Sequence, residues 1–227
     1  MRSIGFWGLL ASLALINLNA PAKAADYSVA PLAQPAPAGE LDAAVAEQLS
    51  PTGFVVKKGT RTLCEIWTAK TWTAAADFKP SNTVIYPLEM GELLGVVRYA
   101  RKGGDFRGQE IPKGVYTLRY ALQPQDGNHV GTSDTRDFVL LLPAADDASP
   151  ETMDKAELFK LSPKTAGGTH PAMLCLLASA GESAEAPEMT HDESRELWSV
   201  RFSNPTVAGE KPGRLTIQLV VVGRAAE

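Results

Sequence analysis

The sequence predicts a mostly β domain, an antiparallel β-sandwich of the jelly-roll or immunoglobulin-like kind with one or two short helices. Short apolar runs recur after Gly53, several with the alternation of inward and outward side chains that is typical of strands. Turn-forming clusters such as residues 102–105 separate these runs. Strands do not alternate regularly with helical patterns, which argues against a parallel doubly wound sheet.

The centre of the predicted domain is a pair of strands joined by a long polar loop. Residues 115–122 alternate strictly, which predicts a strand with one buried face. Residues 138–142 are continuously apolar and predict a strand that is buried on both faces. The loop between them, residues 123–137, is rich in turn-forming side chains and in side chains that can bind metals.

Further strands and one helix complete the predicted domain. Pro87 places one of these strands at an edge or a bulge, because proline cannot donate to a ladder. A helix is predicted to begin with Ser149 as its N-cap and to end before Pro163. Residues 172–178 fit either a strand or a short helix, and residues 181–193 predict a loop. The other predicted strands are residues 54–56, 61–68, 83–88, 93–100, 196–202 and 215–222.

The N-terminal region predicts export. Residues 1–24 combine Arg2, an apolar run and small residues before Ala25, which is the pattern of a signal peptide cleaved before Ala25. The apolar run is shorter than the roughly 20 residues that span a bilayer, and no transmembrane anchor is expected after cleavage. Residues 25–52 predict a tether rich in proline and alanine with a short helix, and residues 53–227 predict the β-sandwich domain.

Composition and charge narrow the function further. Hydrophobic residues make up 44% of the chain, which is typical of a globular protein. Loss of residues 1–24 removes Arg2 and Lys23, so the formal net charge falls from −4 to −6. An acidic chain with no strong basic run is not expected to bind nucleic acid or an anionic membrane surface.

The two cysteines, Cys64 and Cys175, both lie in apolar runs. An oxidising compartment favours a disulfide between them, and the alternative is that each is a separate buried thiol. The two cysteines are too far apart, and Trp67 follows Cys64 too closely, for the immunoglobulin cysteine–tryptophan–cysteine pattern.

The loop after Leu122 is the candidate binding site, with calcium as the candidate cofactor. Twelve residues counted from Asp126 place acidic or amide side chains and a glycine at several positions of a calcium-binding loop. Val130 stands where a ligand is expected, and the flanking elements are strands rather than helices. An ordinary structured loop is therefore the alternative. The candidate ligands are Asp126, Asn128, His129, Asp134 and Asp137.

The three histidines suggest a second metal hypothesis. His129, His170 and His191 could bind a transition metal if the fold brings them together. Met173 and Cys175 follow His170 closely, although in the reverse of the usual order for a copper site. The alternative is that His170 begins a strand and that both sulfur atoms fill the core.

The sequence contains no strong catalytic motif. Nucleophile-elbow, metalloprotease, dinucleotide-binding and phosphate-loop patterns are all missing, which favours binding over catalysis. Trp72 lies beyond the alternation of the preceding strand and is the aromatic residue expected to be exposed, where it could stack on a sugar.

The segments IPKGVYTLRYALQP and DGNHVGTSDTRDFVLLLP resemble parts of exported bacterial β-sandwich proteins of no assigned activity. The similarity covers about residues 93–143. It implies a fold and an export route, and it implies no catalytic residue.

Three hypotheses follow. The first is an exported, periplasmic or secreted β-sandwich protein that binds a glycan, an envelope protein or calcium without transforming it. The second is a metal-binding protein or metal-dependent enzyme that uses the 126–137 loop or the histidines. The third is a structural envelope protein whose loop binds nothing.

Overall fold

The protein is described here by a computed structural model that covers residues 27–127, 131–179 and 184–225. Within these ranges it forms thirteen strands and three α-helices. The strands are β1 (Tyr27–Leu32), β2 (Gly53–Lys58), β3 (Arg61–Thr68), β4 (Trp72–Thr73), β5 (Leu93–Tyr99), β6 (Gly103–Gly104), β7 (Glu110–Ile111), β8 (Gly114–Leu122), β9 (Asp137–Pro143), β10 (Ala172–Leu177), β11 (Glu188–Asp192), β12 (Leu197–Ala208) and β13 (Lys211–Val222). The helices are α1 (Ala43–Gln48), α2 (Lys155–Leu161) and α3 (Pro163–Ala166).

Most strands belong to one continuous sheet. Its order is β1-β2-β3-β5-β8-β9-β10-β13-β12-β11, and β4 joins β12 as a parallel neighbour. β10 connects the two halves of the sheet, because residues 172–175 pair with β9 and residues 176–177 pair with β13. The prediction of a mostly β fold with short helices is confirmed. The described strands form one large curled mixed sheet, a half-barrel, instead of two clearly separate antiparallel sheets.

The sheet curls because its inner face carries large apolar side chains that pack against each other across the interior. The Phe54 ring on β2 lies 4.9 Å from the Phe202 ring on β12, measured between ring centroids. The ring of Tyr27, on the edge strand β1, lies 5.3 Å from that of Trp198 on β12, the strand next to the opposite edge. Apolar burial therefore brings β1 close to the far end of the sheet.

The two central strands were predicted nearly to the residue, but the prediction that β8 has one exposed face is wrong. Every residue from 115 to 121 is buried. One face of β8 joins the interior, and the other is covered by the chain that follows β9. That covering segment brings the Asp147 carboxylate against Arg119, so a charged residue can be accommodated on this face.

The segment predicted as a tether, residues 25–52, contributes a strand to the sheet, because residues 27–32 form β1. β1 pairs with β2 over its whole length, despite Pro31, because an edge strand needs to donate on one side only. The predicted short helix is present as α1, with the Asp42 carboxylate accepting from the Ala44 N–H at 2.8 Å. The predicted signal peptide, residues 1–24, lies outside the described residues.

Two other predicted elements differ from the observed ones. Residues 83–88 form no strand, because the Ile85 and Tyr86 N–H groups donate to the Asp137 carboxylate instead of a neighbouring strand. The helix predicted from Ser149 begins at Lys155, with Asp154 as its N-cap accepting from two backbone N–H groups. β11 lies within the predicted 181–193 loop, and residues 172–177 form a strand.

No helix within the described ranges is both long enough and apolar enough to cross a membrane.

Candidate functional site

The β8–β9 loop lies between two cavities. One, of about 500 Å³, is lined mainly by the loop itself together with Thr83. The other, of about 530 Å³, lies between the loop, the β11–β12 turn and the chain after β13; we call it the loop cleft. Its lining residues are Phe106, Gly131, Thr132, Ser133, Asp134, Cys175, Leu177, Ser194, Arg195, Glu196, Leu197, Arg224 and Ala225.

The loop cleft has an apolar floor and a polar rim. Phe106, Cys175, Leu177 and Leu197 are buried and belong to one apolar cluster, so the floor is rigid and closely packed. The rim carries hydroxyl groups, the two arginines Arg195 and Arg224, and the carboxylates of Asp134 and Glu196. An apolar floor with a few convergent polar groups is the usual composition of a ligand-binding site.

Arg195 links the two loops that form the mouth of the cleft. Its Nε donates to the Asp192 carboxylate at 2.6 Å, and its Nη1 donates to the Asp134 carboxylate at 2.6 Å. These hydrogen bonds raise the pKa of the Arg195 guanidinium above its ordinary value. In the described part of the chain its Nη2 group has no hydrogen-bond partner, and the side chain is 44% exposed. Arg195 can therefore donate to a ligand without breaking either contact.

Asp192 is the acidic partner that holds Arg195 in place. Its carboxylate accepts from the Ser194 hydroxyl at 2.6 Å, and this contact, followed by that of Arg195, lowers the pKa of Asp192 to about 2. The turn is therefore in its charged, hydrogen-bonded form throughout the neutral range.

The floor of the cleft offers a thiol and a hydroxyl that are not activated for nucleophilic attack. The Ser133 Oγ lies 3.2 Å from the Cys175 Sγ. Burial raises the pKa of the Cys175 thiol to about 11, so the sulfur is protonated at neutral pH. Among the described residues, the side chain of Ser133 contacts a protonated thiol and not a general base, in contrast to the arrangement that activates a serine.

The structure does not bear out the disulfide prediction. Cys64 and Cys175 are both free and both buried, and they belong to different apolar clusters. Burial raises the pKa of Cys64 to about 12. Both cysteines fill the core as small apolar side chains, which is the alternative that their apolar sequence contexts left open.

The candidate calcium ligands are not brought together among the described residues. Asp137 is fully buried and accepts from Ile85 N–H, Tyr86 N–H and the Tyr120 hydroxyl, so it is not available as the last ligand of the loop. Asp134 pairs with Arg195, and Asp126 lines the first cavity. Asn128 and His129 lie outside the described residues.

The histidines do not converge in the described ranges either. His170 and Met173 line an apolar pocket of about 220 Å³ beside Phe159, whereas Cys175 lines the loop cleft. His191 stacks on Trp198 with ring centroids 3.9 Å apart. Residues 27–127, 131–179 and 184–225 contain no group of three or more His, Cys, Asp or Glu side chains placed to hold a metal.

The prediction that Trp72 is an exposed stacking platform is wrong. Its side chain is fully buried, and its Nε1 donates to the Leu94 carbonyl at 2.9 Å. The short strand β4 pairs in parallel with β12, and this pairing turns Trp72 into the interior against Phe202.

Sequence reasoning did not identify Arg195, Arg224 or Arg119 as important residues. Arg195 has one weak signal, because it is a basic residue just after the acidic 181–193 region. Arg119 has a clearer one, since a charge between apolar residues on a central strand needs a buried partner. Arg224 has no local signal.

Comparisons with protein-family models, with curated proteins and with solved structures found no match for this chain.

Proposed function

We propose that the protein is an exported binding protein whose ligand enters the loop cleft. The observation that carries the proposal is the composition of the cleft, about 530 Å³ with an apolar floor and two rim arginines. That volume falls within the roughly 300–1,000 Å³ of ligand-binding pockets. The cleft lies beside the loop between the two central strands of the half-barrel.

The rim favours a ligand with an anionic group. The free Nη2 of Arg195 and the exposed guanidinium of Arg224 lie on the same cavity, and planar guanidinium groups recognise carboxylates well. The floor favours an apolar group next to that anion.

A segment of a partner protein fits these two requirements better than a glycan does. A glycan site usually offers an exposed aromatic face for stacking, but Trp72 is buried and Phe106 in the floor is 5% exposed. A peptide with an apolar residue beside an acidic residue satisfies both the floor and the rim. An envelope protein that exposes such a segment is our proposed partner.

Binding without catalysis agrees with the state of the cleft's reactive groups. The thiol of Cys175 is protonated because burial raises its pKa, and Ser133 contacts that thiol instead of a base. The ligand is therefore held and released unchanged.

Export rests on the N-terminal pattern of residues 1–24 and on the resemblance of residues 93–143 to exported proteins. We expect the mature chain to begin at Ala25 and to be periplasmic or secreted. N-terminal sequencing of the protein purified from the producing cells tests this, and a chain that retains Met1 in the cytoplasm would contradict it.

The binding proposal is tested by selecting ligands from a peptide-display library with the purified protein. Each selected peptide is then titrated against wild type, Arg195→Gln and Arg224→Gln, with Arg214→Gln as the matched control on the exposed start of β13. We expect the two cleft variants to weaken binding about tenfold or more, because each loses a charge-assisted hydrogen bond, and the control to bind as wild type. Equal affinity for all four proteins, or a library that yields no ligand, would refute the proposal.

A further inference from the structure

A further cavity, of about 230 Å³, is lined by four cationic side chains. Lys58 and Arg61 come from the β2–β3 hairpin, Arg101 and Lys102 come from the turn after β5, and Tyr27 begins β1. We call this the basic pocket. It shares no lining residue with the loop cleft.

The fold assembles this pocket from separate parts of the chain. Lys58 and Arg61 are paired in register on either side of a tight turn, in which Gly59 adopts a left-handed conformation with φ +58°. Tyr27 pairs with Lys58 across β1 and β2. Arg101 follows the end of β5, the strand hydrogen-bonded to β3. No single run of sequence carries the positive charge.

The local charge is opposite in sign to that of the whole chain. The protein has 26 acidic and 22 basic residues, yet four cations meet at this cavity. Lys102 pairs with Glu110 at 2.8 Å in an exposed contact, and the Lys58 ammonium lies 5.2 Å from the centre of the Tyr27 ring. In the described part of the chain, Arg61 and Arg101 have neither an ion pair nor a hydrogen bond through their side chains.

Uncompensated cations around one concave site repel each other, so an anion that enters relieves this repulsion. Guanidinium groups bind phosphate oxygens in pairs, whereas ammonium groups act as point charges. Arg61 and Arg101 therefore supply the directional contacts, and Lys58 and Lys102 supply further attraction.

We propose that the basic pocket binds a phosphate group. The group could belong to a free phosphate compound or to the headgroup of a phospholipid, and both place the same phosphate oxygens against Arg61 and Arg101. The site is independent of the ligand proposed for the loop cleft.

Two measurements test this proposal and separate the two sources. Inorganic phosphate is titrated into the purified protein while the backbone amide signals of Arg61 and Arg101 are followed by NMR. Sedimentation with vesicles of phosphatidylcholine alone, and of phosphatidylcholine with phosphatidylglycerol, measures binding to a phospholipid surface. The pocket variant is Arg61→Gln/Arg101→Gln, and the control is Arg214→Gln, which removes a positive charge on the exposed start of β13. Arg195→Gln is measured as well, because it reports whether phosphate enters the loop cleft instead.

We expect saturable phosphate shifts at positions 61 and 101, with an affinity that falls about tenfold or more in the double variant and is unchanged in Arg214→Gln. Binding to the phosphatidylglycerol vesicles alone, lost in the double variant, would also support the site and would identify a lipid headgroup as the source. Absence of binding in both assays would overturn the proposal. Equal binding by the double variant and Arg214→Gln would overturn it too, as would loss of phosphate binding in Arg195→Gln, which would place the anion in the loop cleft.

Discussion

Arg119 and Arg195 both pair with aspartate, but they do so in opposite surroundings. Arg119 lies on the central strand β8 with its side chain fully buried, and its Nε and Nη2 both donate to the Asp147 carboxylate at 2.7 and 2.8 Å. Its remaining donors reach backbone carbonyls of the segments on either side. Arg195 is 44% exposed and keeps one donor group without a partner among the described residues.

This difference separates a structural charge from one that we propose binds a ligand. Every donor of Arg119 is satisfied within the protein, so the residue ties the segments around Gly91 and Ser149 to β8 and has nothing to offer a ligand. Two carboxylates orient Arg195, whose side chain lines the cleft and whose Nη2 has no hydrogen-bond partner among the described residues. Saturation of the hydrogen bonds, more than the presence of an ion pair, decides which role a charged residue has.

The largest expected effect is at Arg119. Arg119→Ala leaves the Asp147 carboxylate buried without its counterion, and we expect the free energy of unfolding to fall by about 3–5 kcal/mol. Urea denaturation followed by tryptophan fluorescence measures it. The double variant Arg119→Met/Asp147→Leu removes both charges and should be less destabilised than Arg119→Ala. A loss below about 1 kcal/mol in the single variant would contradict the structural role.

A smaller effect is expected at Asp137, whose carboxylate replaces a strand partner for residues 85 and 86. Asp137→Ala leaves the Ile85 and Tyr86 N–H groups and the Tyr120 hydroxyl without acceptors, at a cost of about 2–3 kcal/mol. Asp137→Asn keeps a carbonyl acceptor and is the matched control, with a smaller loss. The same denaturation experiment checks both, and equal stability of the two variants would argue against these hydrogen bonds.

Acid titration tests the contacts of Asp192 that hold Arg195 in place. The pKa of Asp192 is about 2 in the folded protein, below the ordinary value of about 3.9 for an unfolded chain. Its contribution to stability is therefore complete above pH 4 and is lost as the pH falls toward 2. Ser194→Ala and Arg195→Gln should each raise this pKa, which NMR titration of the carboxyl carbon measures. A wild-type midpoint near 4 would contradict the contacts at the turn.

The smallest expected effect is that of a reducing agent. Because Cys64 and Cys175 are both free, dithiothreitol should leave the melting temperature of the protein unchanged. Burial raises the pKa of both thiols, so a thiol-specific reagent at pH 8 should label neither in the folded protein and both after unfolding. A melting temperature that drops on reduction would indicate a disulfide and contradict the structure.

Local sequence patterns predicted the strands whose side chains follow a regular pattern of apolar residues. The alternation of residues 115–122 and the apolar run of residues 138–142 located β8 and β9, because strand periodicity is a local property. The pattern could not locate the residues that face β8 from outside. Asp147 lies 28 positions after Arg119, and only the folded chain brings the two together.

Prediction was poorest where a tertiary contact replaces a local preference. Residues 83–88 have a strand-like composition, but the Asp137 side chain takes the hydrogen bonds that a neighbouring strand would have taken. Trp72 lay outside the alternation of the preceding strand and was expected on the surface, yet its pairing with β12 buries it. The candidate loop borders two cavities, but of the residues predicted as its ligands only Asp126 and Asp134 line them among the described residues, and Asp137 is buried elsewhere.

By itself, the sequence determined the mostly β fold class and the position of the central strands. These depend on side-chain periodicity and on turn-forming residues, which act over a few positions. Only the tertiary structure decided that the sheet is continuous and curled and that four cations meet beside Tyr27. It also decided that every donor of Arg119 is satisfied, whereas Arg195 keeps one donor group without a partner among the described residues. Those features depend on contacts between residues far apart in the chain. Such contacts stabilise the protein only once folding has brought the residues together.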